Sequence, residues 1–209
     1  MVDDPSTRAA RLADSSLSIG NRQSGIVNSS DPSVLAGRVL VVGIGNEYRG
    51  DDAVGLIVAR RLAERLDPAF AVLEHNGDGA ALMEVWQGAE TVIVLDAVHS
   101  GGEPGTIHRL EAGRQSLTDL TALPPEAWCG STHAFSLVQA VELSRALDQL
   151  PPHVIVYGIE GRNFEPGVGL SSEVERAVPE VGEHVLLEVS SARHKSQEPS
   201  PRDPGHSPE

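Results

Sequence analysis

The sequence has a single cysteine, Cys129, among its 209 residues. One cysteine cannot form an internal disulfide, which is typical of a protein of the reducing cytoplasm. Long apolar runs are also missing, since the longest have the length of strands and a membrane span needs ~20 residues. The N-terminal segment shows no continuous apolar region of a signal peptide. We therefore expect a cytoplasmic protein without a membrane partner.

Positive charge is scarce as well. Lysine and arginine total 16 residues against 30 aspartates and glutamates, which gives a formal net charge of −14. A chain with this charge is disfavoured as a nonspecific binder of nucleic acid or of anionic membranes. The sequence composition thus favours a function that involves neither.

Composition also divides the chain into a core and two tails. Residues 1–37 are rich in serine, aspartate, asparagine, arginine and glycine, and residues 191–209 are polar and proline-rich. Neither segment has a sustained apolar period, so both are predicted to be disordered. The remaining part, residues 38–190, has the size of one ordinary domain.

Strand-like and helix-like segments alternate through this domain. Short continuous apolar strands between amphipathic helices predict a three-layer α/β fold: a twisted, mostly parallel sheet of about five strands with helices on both faces. Strands are expected at 39–43, 70–74, 91–95, 106–110 (an edge strand) and 154–157, and helices at 53–66, 79–86, 133–149 and 170–190, the last kinked or restarted at Pro179.

The loop after the first strand is glycine-rich but acidic. Residues 43–52 read Gly-Ile-Gly-Asn-Glu-Tyr-Arg-Gly-Asp-Asp, and Arg49 does not offset the three acids. A phosphate site at such a loop needs exposed backbone N–H groups and positive potential. The loop is therefore better suited to a cation than to a nucleotide. A dinucleotide-dependent oxidoreductase is a rival interpretation, but its third fingerprint glycine would have to stand at Tyr48.

Three side chains are expected at the carboxyl edge of the sheet, where open α/β sheets bind ligands. Asp52 follows the first strand, Asp96 ends the strand 91–95, and His133 begins the helix after the long loop. Two carboxylates and an imidazole suit a divalent transition metal and leave a position for water or substrate. The sequence predicts that these three residues form the metal-binding and catalytic site.

Each residue also has a simpler explanation. An aspartate after a strand commonly forms a turn, so Asp96 has that role open to it, and Asp51 or Asp52 can cap the first helix. His133 taken alone is compatible with a surface position. Cys129 lies close enough in sequence to His133 to suggest a nucleophile pair, although a partly buried cysteine is the commoner case.

These residues lie in an ordered set of motifs that resembles the [NiFe]-hydrogenase maturation endopeptidases. Together the motifs extend over residues 38–190, and Asp52 stands where many members have glutamate. They are residues 39–46 (VLVVGIGN), 50–55 (GDDAVG), 94–98 (VLDAV), 104–106 (PGT), 131–137 (STHAFSL), 157–160 (YGIE) and 169–171 (GLS).

The resemblance implies an endopeptidase that removes the C-terminal extension of a [NiFe]-hydrogenase large-subunit precursor after nickel insertion. It also implies that Asp52, Asp96 and His133 sense nickel, which belongs to the substrate and is held weakly or not at all by the free enzyme. Two mechanisms stay open: a carboxylate that activates water, or nickel that polarises the scissile carbonyl. A non-catalytic nickel-sensing maturation chaperone is the alternative function.

Overall fold

The computed structural model describes residues 39–67, 70–114, 120, 123, 125–128 and 137–197. Five strands and four α-helices alternate along this part of the chain. They are β1 (Val39–Ile44), α1 (Val54–Ala63), β2 (Ala71–His75), α2 (Gly79–Val85), β3 (Thr91–Val98), β4 (Ile107–Glu111), α3 (Leu137–Ala146), β5 (His153–Glu160) and α4 (Ser172–Gln197). Short 3₁₀ turns at Gly50–Ala53 and Pro125–Trp128 complete the set.

The strands form one sheet in the order β2-β1-β3-β5-β4. All neighbours are parallel except β4, which runs antiparallel to β5 at the edge. The central strands β1 and β3 are buried along their whole length. Strands covered on both faces read as continuous apolar runs, and this is why the sequence identified them. The predicted mostly parallel α/β sheet is confirmed, as is the edge strand.

Helices cover both faces of the sheet. On one face α1 and α4 pack together over β1, β3 and β5, with a core rich in valine and isoleucine. On the other face α2 and α3 pack together, and both tryptophans, Trp86 and Trp128, are buried there. The result is the three-layer arrangement expected from the sequence. None of the helices in the described segments is long and apolar enough to cross a membrane.

Two glycines set the distance between α1 and the sheet. A Cβ atom at Gly43 in β1 would overlap the carbonyl oxygen of Gly55 in α1, and one at Gly55 would overlap the carbonyl oxygens of Ile44 and Leu95. The helix therefore lies directly on the ends of β1 and β3. Because the turn Gly50–Ala53 leads straight into α1, this close approach also fixes the turn above the sheet edge.

Three elements are several residues longer than the sequence predicted, and one of them is β5, which continues to Glu160 instead of ending at residue 157. Strand β3 continues to Val98 instead of ending at residue 95, so Asp96 lies inside the strand. Helix α4 continues without a break through Pro179 to Gln197, beyond the expected end at 190 and into the segment predicted as a tail. One missing proline N–H does not interrupt α4, because valines at helical spacing bury its inner face on both sides of the proline.

Other predictions are met only in part. The predicted helix 133–149 is seen as α3 and ends at Ala146, and Asp148 just beyond it has a positive φ of 55°. The predicted loop 111–130 contains the 3₁₀ turn Pro125–Trp128. The tails at 1–37 and 198–209 lie outside the described residues, as do Cys129 and His133.

The glycine contact under α1 can be tested by the same substitution at two helical glycines. Gly55→Ala should lower the free energy of unfolding by about 2 kcal/mol or more, because the new methyl group overlaps backbone atoms. Gly182→Ala in α4 meets nothing within 4 Å and should raise the free energy of unfolding by about 0.5–1 kcal/mol.

Urea unfolding followed by tryptophan fluorescence measures both variants, since Trp86 and Trp128 are buried in the folded protein. Equal effects of the two substitutions would contradict the close contact at Gly55.

Candidate active site

Asp52 lies at the carboxyl edge of the sheet, in the 3₁₀ turn between β1 and α1. Its side chain is 0% exposed, and neither carboxylate oxygen accepts a hydrogen bond from the described residues. Nη1 of Arg49 lies 3.7 Å from Oδ2, which is an ion pair without a hydrogen bond. Burial raises the pKa of Asp52 from its ordinary 3.8 to about 6, and Arg49 opposes the rise. A buried carboxylate with free oxygens is available to a ligand or a proton.

Asp96 lies in the adjacent strand β3, near its carboxyl end and beside Gly158 of β5. It is almost fully buried, and its Oδ1 accepts a 2.8 Å hydrogen bond from the N–H of Ala97. Burial, and then the negative charge of Asp52, raise the pKa of Asp96 to about 8, against the effect of the Ala97 N–H. The structure thus brings Asp52 and Asp96 into one electrostatic pair.

The pair has an arrangement suited to acid–base chemistry. Burial raises both pKa values, to about 6 for Asp52 and about 8 for Asp96, so the pair holds a proton up to a higher pH than exposed aspartates do. Two neighbouring carboxylates whose environments separate their pKa values can act as a base and an acid in one reaction. Asp52 also has two oxygens free of hydrogen bonds from the described residues, which suits a cation ligand.

Asp51 has a different role from its neighbour. It is also 0% exposed, but its carboxylate is saturated. Oδ2 accepts from the N–H groups of Arg162 and Asn163 at 2.8 and 2.9 Å and from the hydroxyl of Ser171 at 2.9 Å. Oδ1 accepts from the N–H of Ser171 at 2.6 Å. Asp51 therefore joins the β1–α1 turn to the loop between β5 and α4.

The structure overturns the prediction that Asp51 or Asp52 caps the first helix. Ala53 is the N-cap residue of α1, and no side chain caps it or the preceding 3₁₀ turn. The third acid of the loop, Glu47, is turned toward solvent, where Arg60 lies 3.3 Å from it and also binds Glu74. The three acids of this loop therefore have separate roles. Asp52 is the one whose carboxylate accepts no hydrogen bond from the described residues.

A further buried acid, Glu160, was not predicted as a functional residue. It ends β5 at the same edge, and its carboxylate accepts from the hydroxyl of Ser100 at 2.7 Å and from the N–H groups of Gly101 and Gly102 at 3.0 and 3.2 Å. Nε2 of His108 lies 3.5 Å away. Glu160 thus holds the β3–β4 loop. An acid directly after an apolar strand was the signal that could have identified it, as it did for Asp96.

The third predicted ligand, His133, lies outside the described residues, so its place at the site stays a prediction. The same holds for Cys129 and the proposed nucleophile pair. Within the segments that the structure describes, no group of three or more histidines, cysteines, aspartates or glutamates is arranged to hold a metal ion. Asp52 and Asp96 supply two carboxylates there.

Comparison with known proteins gives a consistent result. A family model for hydrogenase maturation proteases matches residues 56–188. A putative hydrogenase maturation protease of Methanocaldococcus jannaschii is 30% identical over 158 residues, which make up 72% of this chain and 96% of the relative. The hydrogenase 2 maturation protease of Escherichia coli K12 is 25% identical over 172 residues, covering 81% of this chain and 99% of the relative.

Solved structures agree with the sequence relatives. The structure of a [NiFe] hydrogenase maturation protease, HybD, from Thermococcus kodakarensis matches with a TM-score of 0.57 at 25% identity. The match covers 73% of this chain and 99% of the solved chain. The fold described above is therefore shared over nearly the whole length of that protein.

The different roles of the two adjacent aspartates predict different effects of the same substitution on stability. Asp51→Asn should lower the free energy of unfolding by roughly 3 kcal/mol, because an amide NH₂ would face N–H donors and charge-assisted hydrogen bonds would be lost. Asp52→Asn should cause no loss, because it removes a buried charge without a hydrogen-bond partner among the described residues. Urea unfolding at pH 7 compares them, and equal losses would contradict the assignment of Asp51.

The raised pKa of Asp96 predicts a dependence of stability on pH. The folded state holds this proton up to about pH 8 and the unfolded state only to about pH 4, so the contribution of Asp96 to stability falls as pH rises between these values. Asp96→Asn removes the effect, so its stability relative to wild type should increase between pH 5 and pH 8 by up to about 3 kcal/mol.

Urea unfolding at the two pH values measures this difference. Asp148→Asn, at an aspartate with 87% of its side chain exposed, is the matched control and should show no such change. An Asp96→Asn difference that is constant with pH would show that Asp96 is not protonated in the folded protein.

Proposed function

Because the chain belongs to the hydrogenase maturation protease family, a family of endopeptidases, we propose that it cleaves the precursor of a [NiFe]-hydrogenase large subunit and removes its C-terminal extension after nickel insertion. The enzyme is a hydrolase of the peptidase class. Its family membership supports a hydrogenase subunit precursor as the substrate, and the resemblance of its motifs supports the large subunit. We propose the cytoplasm as its location, in keeping with its single cysteine.

The observation that carries this proposal is the buried pair of Asp52 and Asp96. The pair lies at the sheet edge where α/β folds bind ligands, and its two pKa values lie on either side of neutral pH. This supports an aspartyl-type hydrolysis, in which one carboxylate activates water and the other holds a proton. Polarisation of the carbonyl by nickel stays the alternative.

The proposed reaction uses the two aspartates in turn. Asp52 accepts a proton from water as the water oxygen attacks the scissile carbonyl carbon. Asp96 gives its proton to the amide nitrogen as the carbon–nitrogen bond breaks, so that the products are a new carboxyl terminus and an amine. Asp52 then holds one proton and Asp96 none, and proton exchange with solvent restores the starting state. General acid–base catalysis of this kind contributes about 10²–10⁴-fold to a rate.

Nickel enters this proposal as part of the substrate. One oxygen of Asp52 can contact a cation carried by the precursor while the other accepts the proton from water, with His133 as a further ligand. Asp96 becomes the third ligand only once it has given up its proton. Burial raises the pKa of both carboxyl groups, so a cation that binds the pair must displace a proton that exposed aspartates would already have lost. Such a site attracts a divalent cation less than two ionised carboxylates would, which supports weak nickel binding in the absence of the precursor.

The test is the intact mass of the cognate large-subunit precursor after incubation with the protein. The nickel-loaded precursor should lose a C-terminal peptide and the nickel-free precursor should not. Asp52→Asn, Asp96→Asn and His133→Ala should each reduce the cleavage rate at least about 100-fold. Asp148→Asn is the control and should cleave at the wild-type rate, since asparagine tolerates the positive φ at that position.

Three outcomes would contradict the proposal in different ways. Full activity of Asp96→Asn would show that Asp96 is not the general acid. Full activity of His133→Ala would show that His133 is not part of the site. No cleavage of a precursor shown to contain nickel would favour the chaperone alternative. A direct nickel titration would then distinguish a chaperone from an endopeptidase, because a chaperone should bind nickel tightly by itself.

A further inference from the structure

The loops beside Asp52 form a ridge that carries exposed apolar side chains. We define the rim as residues 46–50 of the β1–α1 turn together with residues 163–169 of the β5–α4 loop. Tyr48 is 65% exposed and Val168 is 79% exposed, and Tyr48 precedes Asp52 by four residues in the same turn. Large apolar side chains this exposed, beside a buried carboxylate, are candidates for a binding role.

The rim is held in place by backbone bonds between its two loops. The N–H of Gly50 donates to the carbonyl of Gly167 at 2.9 Å, and the N–H of Gly167 donates to the carbonyl of Tyr48 at 2.9 Å. The N–H of Asp51 also donates to the carbonyl of Asn163 at 2.8 Å, and the carboxylate of Asp51 accepts the hydrogen bonds described above. Tyr48 and Val168 are therefore presented by a preorganised backbone, so that a partner binds them at a low cost in ordering.

The other described loops at this edge, residues 76–78 after β2 and residues 99–103 after β3, carry no exposed large apolar side chain. Residues 99–103 read His-Ser-Gly-Gly-Glu, and this loop is held inward by Glu160. Of the described loops at the carboxyl edge of the sheet, the rim is thus the one with exposed large apolar side chains. A folded protein that delivers a peptide bond to the fully buried Asp52 has to approach across these loops, so its surface meets the rim.

We propose that the rim is a docking surface for the precursor, on which Tyr48 and Val168 bind an apolar segment of the folded precursor close to its scissile bond. This inference rests on the proposed function and adds to it the part of the enzyme that recognises the body of the substrate. Contacts of this kind are made equally in the ground state and the transition state, so they determine KM and leave kcat unchanged.

The test measures kcat and KM for cleavage of the nickel-loaded precursor by rim variants. Tyr48→Ser and Val168→Ser should each raise KM about tenfold, and the double variant roughly 100-fold, with kcat within about twofold of wild type. Tyr48→Phe keeps the ring and should keep the wild-type KM. Leu187→Ser is the matched control, since Leu187 is 66% exposed on α4 outside the rim and its variant should behave as wild type.

The outcomes separate this inference from the proposed function. A wild-type enzyme that cleaves, with an unchanged KM in both rim variants, would overturn the docking role alone. A fall in kcat at unchanged KM would also overturn it, because the rim would then shape the catalytic pair. A wild-type enzyme that cleaves no loaded precursor would overturn the proposed function and the docking role with it. A midpoint of thermal unfolding equal to that of the wild type shows for each variant that the fold is retained.

Discussion

The site depends on a set of hydrogen bonds that ends on one buried carboxylate, that of Asp51. Three backbone N–H groups and one hydroxyl from residues 162–171 converge on its two oxygens. These donors precede α4, while Asp51 itself precedes α1. One side chain therefore fixes the turn before α1 against the loop that leads into α4. The position of Asp52 follows from this, because it is the next residue in the same turn. Without Asp51, both the carboxylate pair and the rim would lose their common support.

Two neighbouring aspartates thus show how the surroundings decide the role of a side chain. Asp51 is buried with a full set of donors, so burial is compensated by charge-assisted hydrogen bonds. Asp52 is buried without a hydrogen-bond donor from the described residues, so the cost of burial is expressed as a raised pKa. The first arrangement is suited to holding a structure together, and the second to exchanging a proton. Two aspartates in one turn thus have different roles: Asp51 holds the turn in place, and Asp52 is suited to proton exchange.

Much of the fold could be predicted because β1 and β3 are buried on both faces and read as unbroken apolar runs. The rule that parallel strands end at a common ligand-binding edge then brought Asp52 and Asp96 together correctly. The role of Asp51 could not be predicted, since its partners lie more than 110 positions away and all but the Ser171 hydroxyl are backbone groups, which no side-chain pattern reveals. Glu160 was missed for a similar reason, as its donors come from the β3–β4 loop. The length of α4 was underestimated because polar composition was taken as the end of the helix.

The close approach of α1 to the sheet has a consequence for how mutations in this protein should be interpreted. Gly43 and Gly55 carry no chemical group, yet they determine the height of the Asp52 turn above β3. In a screen for loss of function, substitutions at these glycines would score with those at the carboxylates, although nothing reactive had been changed. A side chain only one methyl group larger would push the turn that carries Asp52 away from Asp96 in β3. The space left by two missing Cβ atoms is, in this sense, as necessary to the proposed catalysis as the carboxylates are.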